Sequence, residues 1–365
     1  MNPAGPSDGP IPVTVITGFL GSGKSTLANR LLKSAEFERA AVVINEYGEI
    51  GVDHIFVDAP RRRLRMVDSG CLCGHVHEEV ASRLLDLQQR RSEGDAESEY
   101  DCVLIETSGL ADPVPIVQIL LTDREVMRHY ALRSVITVAD GLHGVRHLEQ
   151  HIESVKQAAV ADTFIIAKTD LADRARVDTL RGRLAAINPS ARMFEAAHGE
   201  IDPAVLASTA GFSASERPAS VQAWLNDAAY TERMAVPATD GRGIQTFTLE
   251  HDDPVTLPGF VLWMNLLGGL KGAGLLRAKG VVNVEGRPYA MQIVQNIISE
   301  PVPLENWPEG FATKSRLVFI TRGIGADEVR QTFRAFACEA GRAPRNMTID
   351  PARFAAFRET IQIFR

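Results

Sequence analysis

Residues 18–25 read G-F-L-G-S-G-K-S and fit the phosphate-binding loop pattern G-x-x-x-x-G-K-[ST]. An apolar, strand-like run precedes this loop at 12–16, and a helix-like run follows it at 26–33. In that strand–loop–helix context the glycines let backbone N–H groups surround a triphosphate, and the helix N-terminus adds its positive dipole end. The pattern therefore predicts a nucleoside triphosphate site formed by Gly18, Gly21, Ser22, Gly23, Lys24, Ser25 and Thr26.

Four residues are expected to act at the phosphate end of that site. Lys24 is placed to reach the β- and γ-phosphates, and the Ser25 hydroxyl to bind Mg²⁺. The apolar run 102–105 ends in Glu106, and Gly109 follows shortly after it. An acidic residue in that position orients Mg²⁺ or the attacking water, and the glycine N–H contacts the γ-phosphate. We expect Lys24 and Glu106 to be catalytic and Gly109 to bind the nucleotide.

The segment 164–170, F-I-I-A-K-T-D, resembles the [N/S/T]-K-x-D segment by which GTPases read guanine. In that reading Asp170 accepts hydrogen bonds from guanine N1–H and the exocyclic amine, and the stem of Lys168 lies along the base. Adenine lacks both donors, so the carboxylate favours guanine. Ala167 stands at the first position, so one polar side chain is missing. We expect GTP to be preferred over ATP, with weaker discrimination left open.

From residue 12 to about 196, Val- and Ile-rich runs alternate with segments of helical period, which predicts an α/β domain with a mostly parallel sheet. The predicted strands are 13–17, 41–44, 65–67, 102–105, 135–138, 164–166 and 193–194. The predicted helices are 25–34, 77–91, 113–121, 143–160 and 171–187.

The second half of the chain is expected to form a small α+β domain. Its predicted strands are 244–249, 280–285, 291–294 and 316–321, with helices at 259–267 and 327–340. The predicted organisation is a disordered N-terminus at 1–11, a P-loop GTPase domain with a metal motif at 12–210, a linker at 211–242, the α+β domain at 243–345 and a tail at 346–365.

Two thiols and two imidazoles fall close together in the run S-G-C-L-C-G-H-V-H, as Cys71, Cys73, His75 and His77. Cys and His are ligands that Zn²⁺ prefers and that Co²⁺ accepts. Two thiolates leave a tetrahedral ion open, so a third ligand is expected from His75, His77, Glu46 or a partner protein. The alternative is a pair of reduced thiols in a turn. His143, His147 and His151 lie at helical spacing, where solvated positions are favoured over a metal site.

The composition is that of an ordinary globular protein, with 45% hydrophobic and 23% charged residues. A net charge of −7 argues against general binding to nucleic acid or anionic membranes. No apolar window approaches the length of a membrane-spanning helix, and no signal peptide is expected. Four cysteines, two of them one residue apart, do not resemble a disulfide framework. We expect a reducing, cytoplasmic location.

Taken together, these motifs resemble those of the CobW-type GTPase family, relatives of the hydrogenase and urease maturation GTPases, and the resemblance covers nearly the whole chain. Besides the phosphate loop, the similar segments are 45–49 (N-E-Y-G-E), 106–113 (E-T-S-G-L-A-D-P), Gln157, 161–162, 168–170, 276–280 and 317–320. One residue departs from the family. Its metal motif is C-x-C-C, and Gly74 stands where the third cysteine is expected.

The resemblance implies a GTP-hydrolysing metallochaperone in which Mg·GTP, with Ser25 on the Mg²⁺, orders switch segments that carry Glu46 and the Cys71/Cys73 pair. These segments bind Zn²⁺, or else Co²⁺, and hydrolysis releases the ion to a client metalloprotein. His75 or His77 would then replace the missing thiol. Cobalt delivery, for cobalamin synthesis or to a cobalt enzyme, is one alternative. A GTP-dependent regulatory or scaffold protein that has lost metal transfer is another, and a small-molecule kinase that uses ATP is disfavoured. The oligomeric state stays open, a homodimer included.

Overall fold

The computed structural model describes residues 9–47, 64–69, 76–93, 99–198, 200–207, 238–239, 243–271, 274–308 and 311–339. Within that part of the chain, two compact units separate. The first holds the described residues up to 207, and the second holds those from 238 onward. The predicted boundaries at 210, 242 and 345 fall on or beside residues outside the description, so they stay predictions.

The first unit contains a seven-stranded sheet in which every pair of strands is parallel. Its strands are β1 Ile11–Thr17, β2 Ala40–Tyr47, β3 Leu64–Ser69, β4 Cys102–Thr107, β5 Tyr130–Asp140, β6 Thr163–Ala167 and β7 Arg192–Ala196. They lie in the order β3-β2-β4-β1-β5-β6-β7. All seven strands predicted from the sequence are therefore present. β1 and β4 are buried along nearly their whole length, because a parallel sheet is covered on both faces.

Eight α-helices lie among and after the described strands of this unit. They are α1 Lys24–Leu32, α2 Val76–Ser92, α3 Val114–Thr122, α4 Arg124–Met127, α5 Gly144–Gln150, α6 Ile152–Ala159, α7 Arg174–Ile187 and α8 Pro203–Ala207. The short helix α4 was not predicted. The carboxylate of Asp123 caps its N-terminus by accepting hydrogen bonds from Glu125 and Val126 N–H.

The single helix predicted at 143–160 is wrong, because the chain breaks it at His151. That residue is extended, with φ −122° and ψ 121°, and separates α5 from α6. The ring of Phe19, in the loop after β1, stacks on the ring of His151 at a centroid distance of 4.3 Å. A stacking contact with a residue so distant in the chain has no signature in helical periodicity, so the break could not be predicted from the spacing of apolar residues.

The second unit is an antiparallel sheet with helices packed against it. Its elements are β8 Ala238–Thr239, β9 Ile244–His251, α9 Leu257–Lys271, β10 Leu275–Val284, β11 Arg287–Val294, β12 Ile297–Ile298, β13 Val302–Pro303, β14 Ser315–Arg322 and α10 Ala326–Thr332. A π-helical segment, Phe333–Glu339, continues α10. The strand order is β12-β11-β10-β14-β9-β8, and β13 pairs with β11. The predicted fold class, a P-loop α/β domain followed by a small α+β domain, is confirmed.

Trp263 of α9 lies at the centre of the core of this unit. The ring centroids of Trp263 and Phe333 lie 4.8 Å apart in an edge-on contact, and Trp263 Nε1–H donates to Thr332 Oγ1 at 3.2 Å. The sequence predicted only the second half of β10, because Arg277 and Lys279 break the apolar run there. Both side chains are nevertheless buried, at 3% and 2% exposure.

Candidate nucleotide and metal site

The predicted nucleotide-binding residues lie along one edge of the parallel sheet, where β1, β4, β5 and β6 end. The loops that follow these four strands begin after Thr17, Thr107, Asp140 and Ala167. Ligands of open α/β sheets bind beyond the carboxyl ends of the strands. The buried hydroxyl of Thr107 donates to that of Thr17 at 2.8 Å, which ties two of these strand ends together.

The phosphate loop has the backbone conformation that its glycines predict. Gly18, Gly21 and Gly23 have φ values of 143°, 69° and 106°, which side chains strongly disfavour. A Cβ at Gly18 would also overlap the carbonyl oxygen of Val138 in β5. The loop is therefore fixed against the sheet at its first glycine and opens into α1 at its last.

Two side chains at the start of α1 have the placement expected of phosphate and Mg²⁺ ligands. Lys24 is 5% exposed, and its Nζ donates to Phe19 O at 3.3 Å within the loop. Ser25 Oγ donates to Glu106 Oε1 at 2.7 Å, across 81 residues of chain. Hydroxyl and carboxylate oxygens are the hard donors that Mg²⁺ prefers, so this pair fits the ion.

Gly109 approaches the phosphate loop so closely that only a glycine fits. A Cβ there would lie 2.6 Å from the backbone nitrogen of Leu20. The carbonyls of Gly109 and Ala111 both accept from the Nε2 of Gln157 on α6, at 3.2 and 3.1 Å. Gln157 is 1% exposed, so the segment after β4 is held by a buried amide.

Lys168 joins the predicted base-reading segment, residues 164–170, to the phosphate loop. Its backbone is left-handed, with φ 59°, and its Nζ donates to Gly21 O at 2.5 Å and to Asp140 Oδ2 at 2.7 Å. Asp140 was not predicted from the sequence. The available signal was an acidic residue at the end of β5, beside the same sheet edge.

Asp140 is held ionised by its neighbours. Burial by itself raises the pKa of this carboxyl, but the hydrogen bonds from Lys168 and from the backbone N–H of His143 and Leu142 outweigh it. The pKa of Asp140 therefore lies below its ordinary value, and the ion pair with Lys168 persists at neutral pH.

Asp170 lies at the outer end of the same segment. Its Oδ1 accepts from the backbone N–H of His198 at 3.0 Å, and its Oδ2 lies 3.2 Å from His198 Nδ1. The backbone hydrogen bond from His198 is the largest cause that lowers the pKa of Asp170. His198 was also missed, because no motif marks the turn after β7.

A cleft of about 460 Å³ opens between the phosphate loop, α1 and the base-reading segment. Ligand pockets commonly have volumes of about 300–1,000 Å³. The residues that line it are Gly21, Gly23, Lys24, Ser25, Thr26, Asn29, Arg30, Lys33 and Lys168. Four of the nine carry a positive charge, so the cleft suits a polyanion such as a triphosphate.

Two family models match the chain. The nucleotide-binding domain of CobW/HypB/UreG matches residues 12–195, half of the chain, and the C-terminal domain of the cobalamin synthesis protein cobW matches residues 244–337. The chain belongs to the CobW/HypB/UreG family. The resemblance inferred from the motifs is confirmed.

The chain is also similar to individual proteins, over about half of its length or more. The zinc chaperone YjiA of Escherichia coli K12 is 31% identical over 89% of this chain and 98% of that protein. The zinc-regulated GTPase metalloprotein activator 1 of Schizosaccharomyces pombe is 28% identical over 53% of this chain and 47% of that protein. A crystal structure of Zn(II)-bound YjiA GTPase matches with a TM-score of 0.62, at 26% identity over 90% of this chain and 99% of that one.

The predicted metal ligands fall mostly outside the described residues. Cys71, Cys73 and His75 are not described, and for Glu46 and His77 only the backbone is. That backbone is informative, since Glu46 of β2 pairs with Asp68 of β3, and β3 ends one residue later at Ser69. The cysteine segment thus starts from the strand that lies beside Glu46.

The three histidines at helical spacing do not form a metal cluster. His143 and His147 have ring centroids 6.1 Å apart, and His147 and His151 6.3 Å apart. His147 and His151 both pack against Phe19, and burial lowers the pKa of His147. Among the described side chains, no group of three or more His, Cys, Asp or Glu residues is arranged to hold a metal ion. None of the helices in the described ranges is long and apolar enough to cross a bilayer.

Proposed function

We propose that this protein is a GTP-hydrolysing zinc chaperone, in which binding of Mg·GTP completes a zinc site and hydrolysis releases the ion to a client protein. Membership of the CobW/HypB/UreG family supports the class of activity. The relatives named as zinc chaperones and as a zinc-regulated GTPase activator support the choice of zinc.

The phosphate end of the site follows from the arrangement around α1. Lys24 contacts the β- and γ-phosphates, and the backbone N–H groups of Gly21, Gly23 and Thr26 surround them. When bound, Mg²⁺ neutralises charge that develops on the phosphates. Ser25 Oγ would be its protein ligand, and Glu106, which accepts a hydrogen bond from Ser25 Oγ, would hold that hydroxyl in place.

Hydrolysis needs a water aligned with the γ-phosphate. Glu106 is 3% exposed and lies at the end of β4, beside the loop in which Gly109 contacts Leu20. We assign it to orient this water, with Lys24 stabilising the transferred phosphoryl group. The sequence shows no arginine finger, so intrinsic turnover is slow.

Base selection is assigned to Asp170 and Lys168. Asp170 is an ionised acceptor at neutral pH, which matches the two donors of guanine and repels adenine. Lys168 is fixed by Gly21 O and Asp140, so its stem lies over the same cleft as the phosphates.

The observation that carries the coupling of nucleotide to metal is the register of β2 between β3 and β4. On one side, Asn45 pairs with Thr107, the residue after Glu106. On the other side, Glu46 pairs with Asp68, just before the cysteine segment. The strand that carries the proposed metal ligand Glu46, β2, is therefore the direct neighbour of β4, whose Glu106 bonds to the proposed Mg²⁺ ligand Ser25. In this proposal, a change in the γ-phosphate contacts at the end of β4 reaches Glu46 and the cysteine segment through the hydrogen-bonded strands β2 and β3.

The transported ion is bound by Glu46, Cys71 and Cys73, with His75 or His77 in place of the thiol that Gly74 removes. Cys and His favour zinc, and cobalt is the second choice. Because binding energies are reciprocal, GTP tightens zinc binding and zinc tightens GTP binding by the same factor. A client metalloprotein in the cytoplasm receives the ion.

A metal titration of the full chain tests this proposal. Zn²⁺ affinity is measured with Mg²⁺ and a non-hydrolysable GTP analogue, and again with Mg·GDP. We expect tighter binding with the GTP analogue, by a factor on the order of 5–150. The double variant Cys71→Ala/Cys73→Ala removes the difference. Cys338→Ala is the matched control, since Cys338 is a half-buried thiol of the second unit.

Three outcomes decide between the alternatives. Equal zinc affinity with both nucleotides rules out the switch. Added Co²⁺ reports thiolate ligation through charge-transfer bands, and their absence favours the scaffold protein, which Gly74 permits. Tighter binding of Co²⁺ than of Zn²⁺ in direct competition favours cobalt delivery.

A further inference from the structure

His198 makes two contacts with the carboxylate to which guanine recognition is assigned. Its backbone N–H bonds to Asp170 Oδ1 at 3.0 Å, and its ring Nδ1 lies 3.2 Å from Asp170 Oδ2. The Asp170 side chain is 16% exposed, whereas that of His198 is 71% exposed. Each oxygen of the carboxylate therefore has one contact with His198.

The turn that carries His198 is folded back onto the base-reading segment. The backbone of His198 is left-handed, with φ 53°, a conformation that Asn, Asp and His adopt more readily than other side chains. Glu200 N–H donates to Ala197 O at 2.8 Å and closes the turn. Thr169 N–H reaches Ala196 O at 3.4 Å, beside Asp170. The position of the ring thus depends on the backbone of β7 and β6, not on the rotamer alone.

Ala167 brings no polar side chain to this region. Among the described residues, His198 contacts both oxygens of the Asp170 carboxylate, through its backbone N–H and its ring. We propose that His198 is a positioning residue for guanine selection, which fixes the plane of the Asp170 carboxylate so that one free lone pair on each oxygen faces the base. This inference rests on the proposed function of Asp170 as the guanine acceptor.

The lone-pair count makes the arrangement consistent. An ionised carboxylate has about four acceptor sites, two on each oxygen. His198 occupies one on each oxygen, and guanine N1–H and the exocyclic amine need one on each oxygen. A carboxylate held in plane before binding loses no rotational freedom on binding, and preorganisation of this kind favours affinity. The contact with Nδ1 is a hydrogen bond in the tautomer that carries the proton there.

The test replaces the ring without straining the turn. His198→Gly keeps the left-handed backbone at no steric cost and keeps the backbone N–H, so only the ring contact is lost. His198→Asn also tolerates positive φ and returns a side-chain donor. GTP, ITP and ATP affinities are measured on the full chain with Mg²⁺. ITP keeps N1–H but lacks the exocyclic amine, and ATP lacks both donors.

We expect His198→Gly to lower the preference for GTP over ATP by about threefold to tenfold, the range for loss of one hydrogen bond. ITP affinity falls by less than GTP affinity, and ATP affinity stays unchanged. In turnover the KM for GTP rises while kcat is preserved, since the phosphate end is untouched. His198→Asn restores most of the preference, and His129→Ala, on a partly buried residue of the same unit, leaves it unchanged.

Two results overturn the inference. If His198→Gly keeps the wild-type preference or binds GTP more tightly, His198 does not position Asp170. If His198→Asn fails to restore a lost preference, the ring acts in some way other than as a donor. The variant Asp170→Asn distinguishes failure of the role of Asp170 from failure of the role of His198. If Asp170→Asn retains the full preference for guanine, the proposed role of Asp170 is wrong. If Asp170→Asn loses that preference and His198→Gly keeps it, only the role of His198 is wrong.

Discussion

The two sheets of this chain bury charged side chains at different places. In the parallel sheet of the first unit, the buried carboxylates of Glu106 and Asp140 stand at the carboxyl ends of β4 and β5. In the antiparallel sheet of the second unit, Arg277 and Lys279 are buried in the middle of β10.

The difference follows from strand direction. All carboxyl ends of a parallel sheet lie at one edge, so functional loops from many strands meet there. In an antiparallel sheet successive strands end at opposite edges, which disperses such residues. The first unit therefore carries the candidate site, and the second contributes a core of Trp263, Phe319, Phe333 and their neighbours.

The strongest test of this comparison targets the core of the second unit. Trp263→Ala is expected to lower the free energy of unfolding of the second unit by about 3–5 kcal/mol. The variant loses a fully buried indole, the edge-on contact of that ring with Phe333 and the hydrogen bond to Thr332. GTP affinity stays near wild type, since every assigned nucleotide ligand belongs to the first unit. Urea unfolding followed by circular dichroism and titration with a fluorescent GTP analogue measure the two effects.

Trp263→Phe is the matched control and is expected to lose less, because it keeps an aromatic ring in the core. A large fall in GTP affinity in Trp263→Ala, under conditions where both units remain folded, would show that the two regions are not functionally separate.

A medium effect is expected from the amide that holds the segment after β4. Gln157→Met keeps the length of the side chain but leaves the carbonyls of Gly109 and Ala111 without their donor. The stability cost is about 1–3 kcal/mol, the penalty for buried groups that lose their partner. GTP turnover is expected to fall more than GTP affinity, since Gly109 is assigned to the γ-phosphate end of the site. Stopped-flow binding and phosphate release measure the two quantities separately.

Lys156→Met provides the comparison on the same helix, because it removes the half-exposed ion pair with Asp112 at 2.9 Å. Such a pair contributes about 0.2–1 kcal/mol. Equal effects of the two variants on turnover would contradict a specific role for the buried amide.

The smallest effect concerns acid stability. The pKa of Asp140 is lowered in the folded protein, so its stabilising contribution is present above its ordinary pKa of about 4 and is lost as the pH falls through the lower folded value. Asp140→Asn lacks this contribution. The difference in unfolding free energy between wild type and Asp140→Asn is expected to be largest near neutral pH and to shrink below about pH 4. Urea unfolding at a series of pH values measures it, and a difference that grows on acidification would count against the ion pair with Lys168.

Much of the first unit was predictable because its signals are local. The phosphate loop pattern at residues 18–25 predicts glycines with positive φ, and Gly18, Gly21 and Gly23 all have positive φ. Strands such as β4 are short apolar runs that a parallel sheet buries on both faces. The break at His151 was not predictable, because it accompanies a stacking contact with Phe19, far away in the chain.

Asp140 and His198 were missed for a related reason. Each is an ordinary polar residue near the end of a strand, and its importance depends on which side chain stands opposite. Lys168 reaches Asp140 across 28 residues and Gly21 across 147, and no local pattern encodes such pairings. They appear only when the strand order places β5 beside β1 and β6 beside β5.

The sequence by itself determined the family of this protein and predicted its chemistry, through a phosphate loop, an acidic residue after an apolar strand, a candidate guanine acceptor and a pair of thiols. Tertiary structure alone decided which of these groups meet. Ser25 bonds to Glu106 and Asp170 contacts His198 because parallel strands deliver their ends to one edge, and because strand order selects the neighbours. Composition and spacing fix what each loop can bind, whereas packing and register fix the partner that holds it in place.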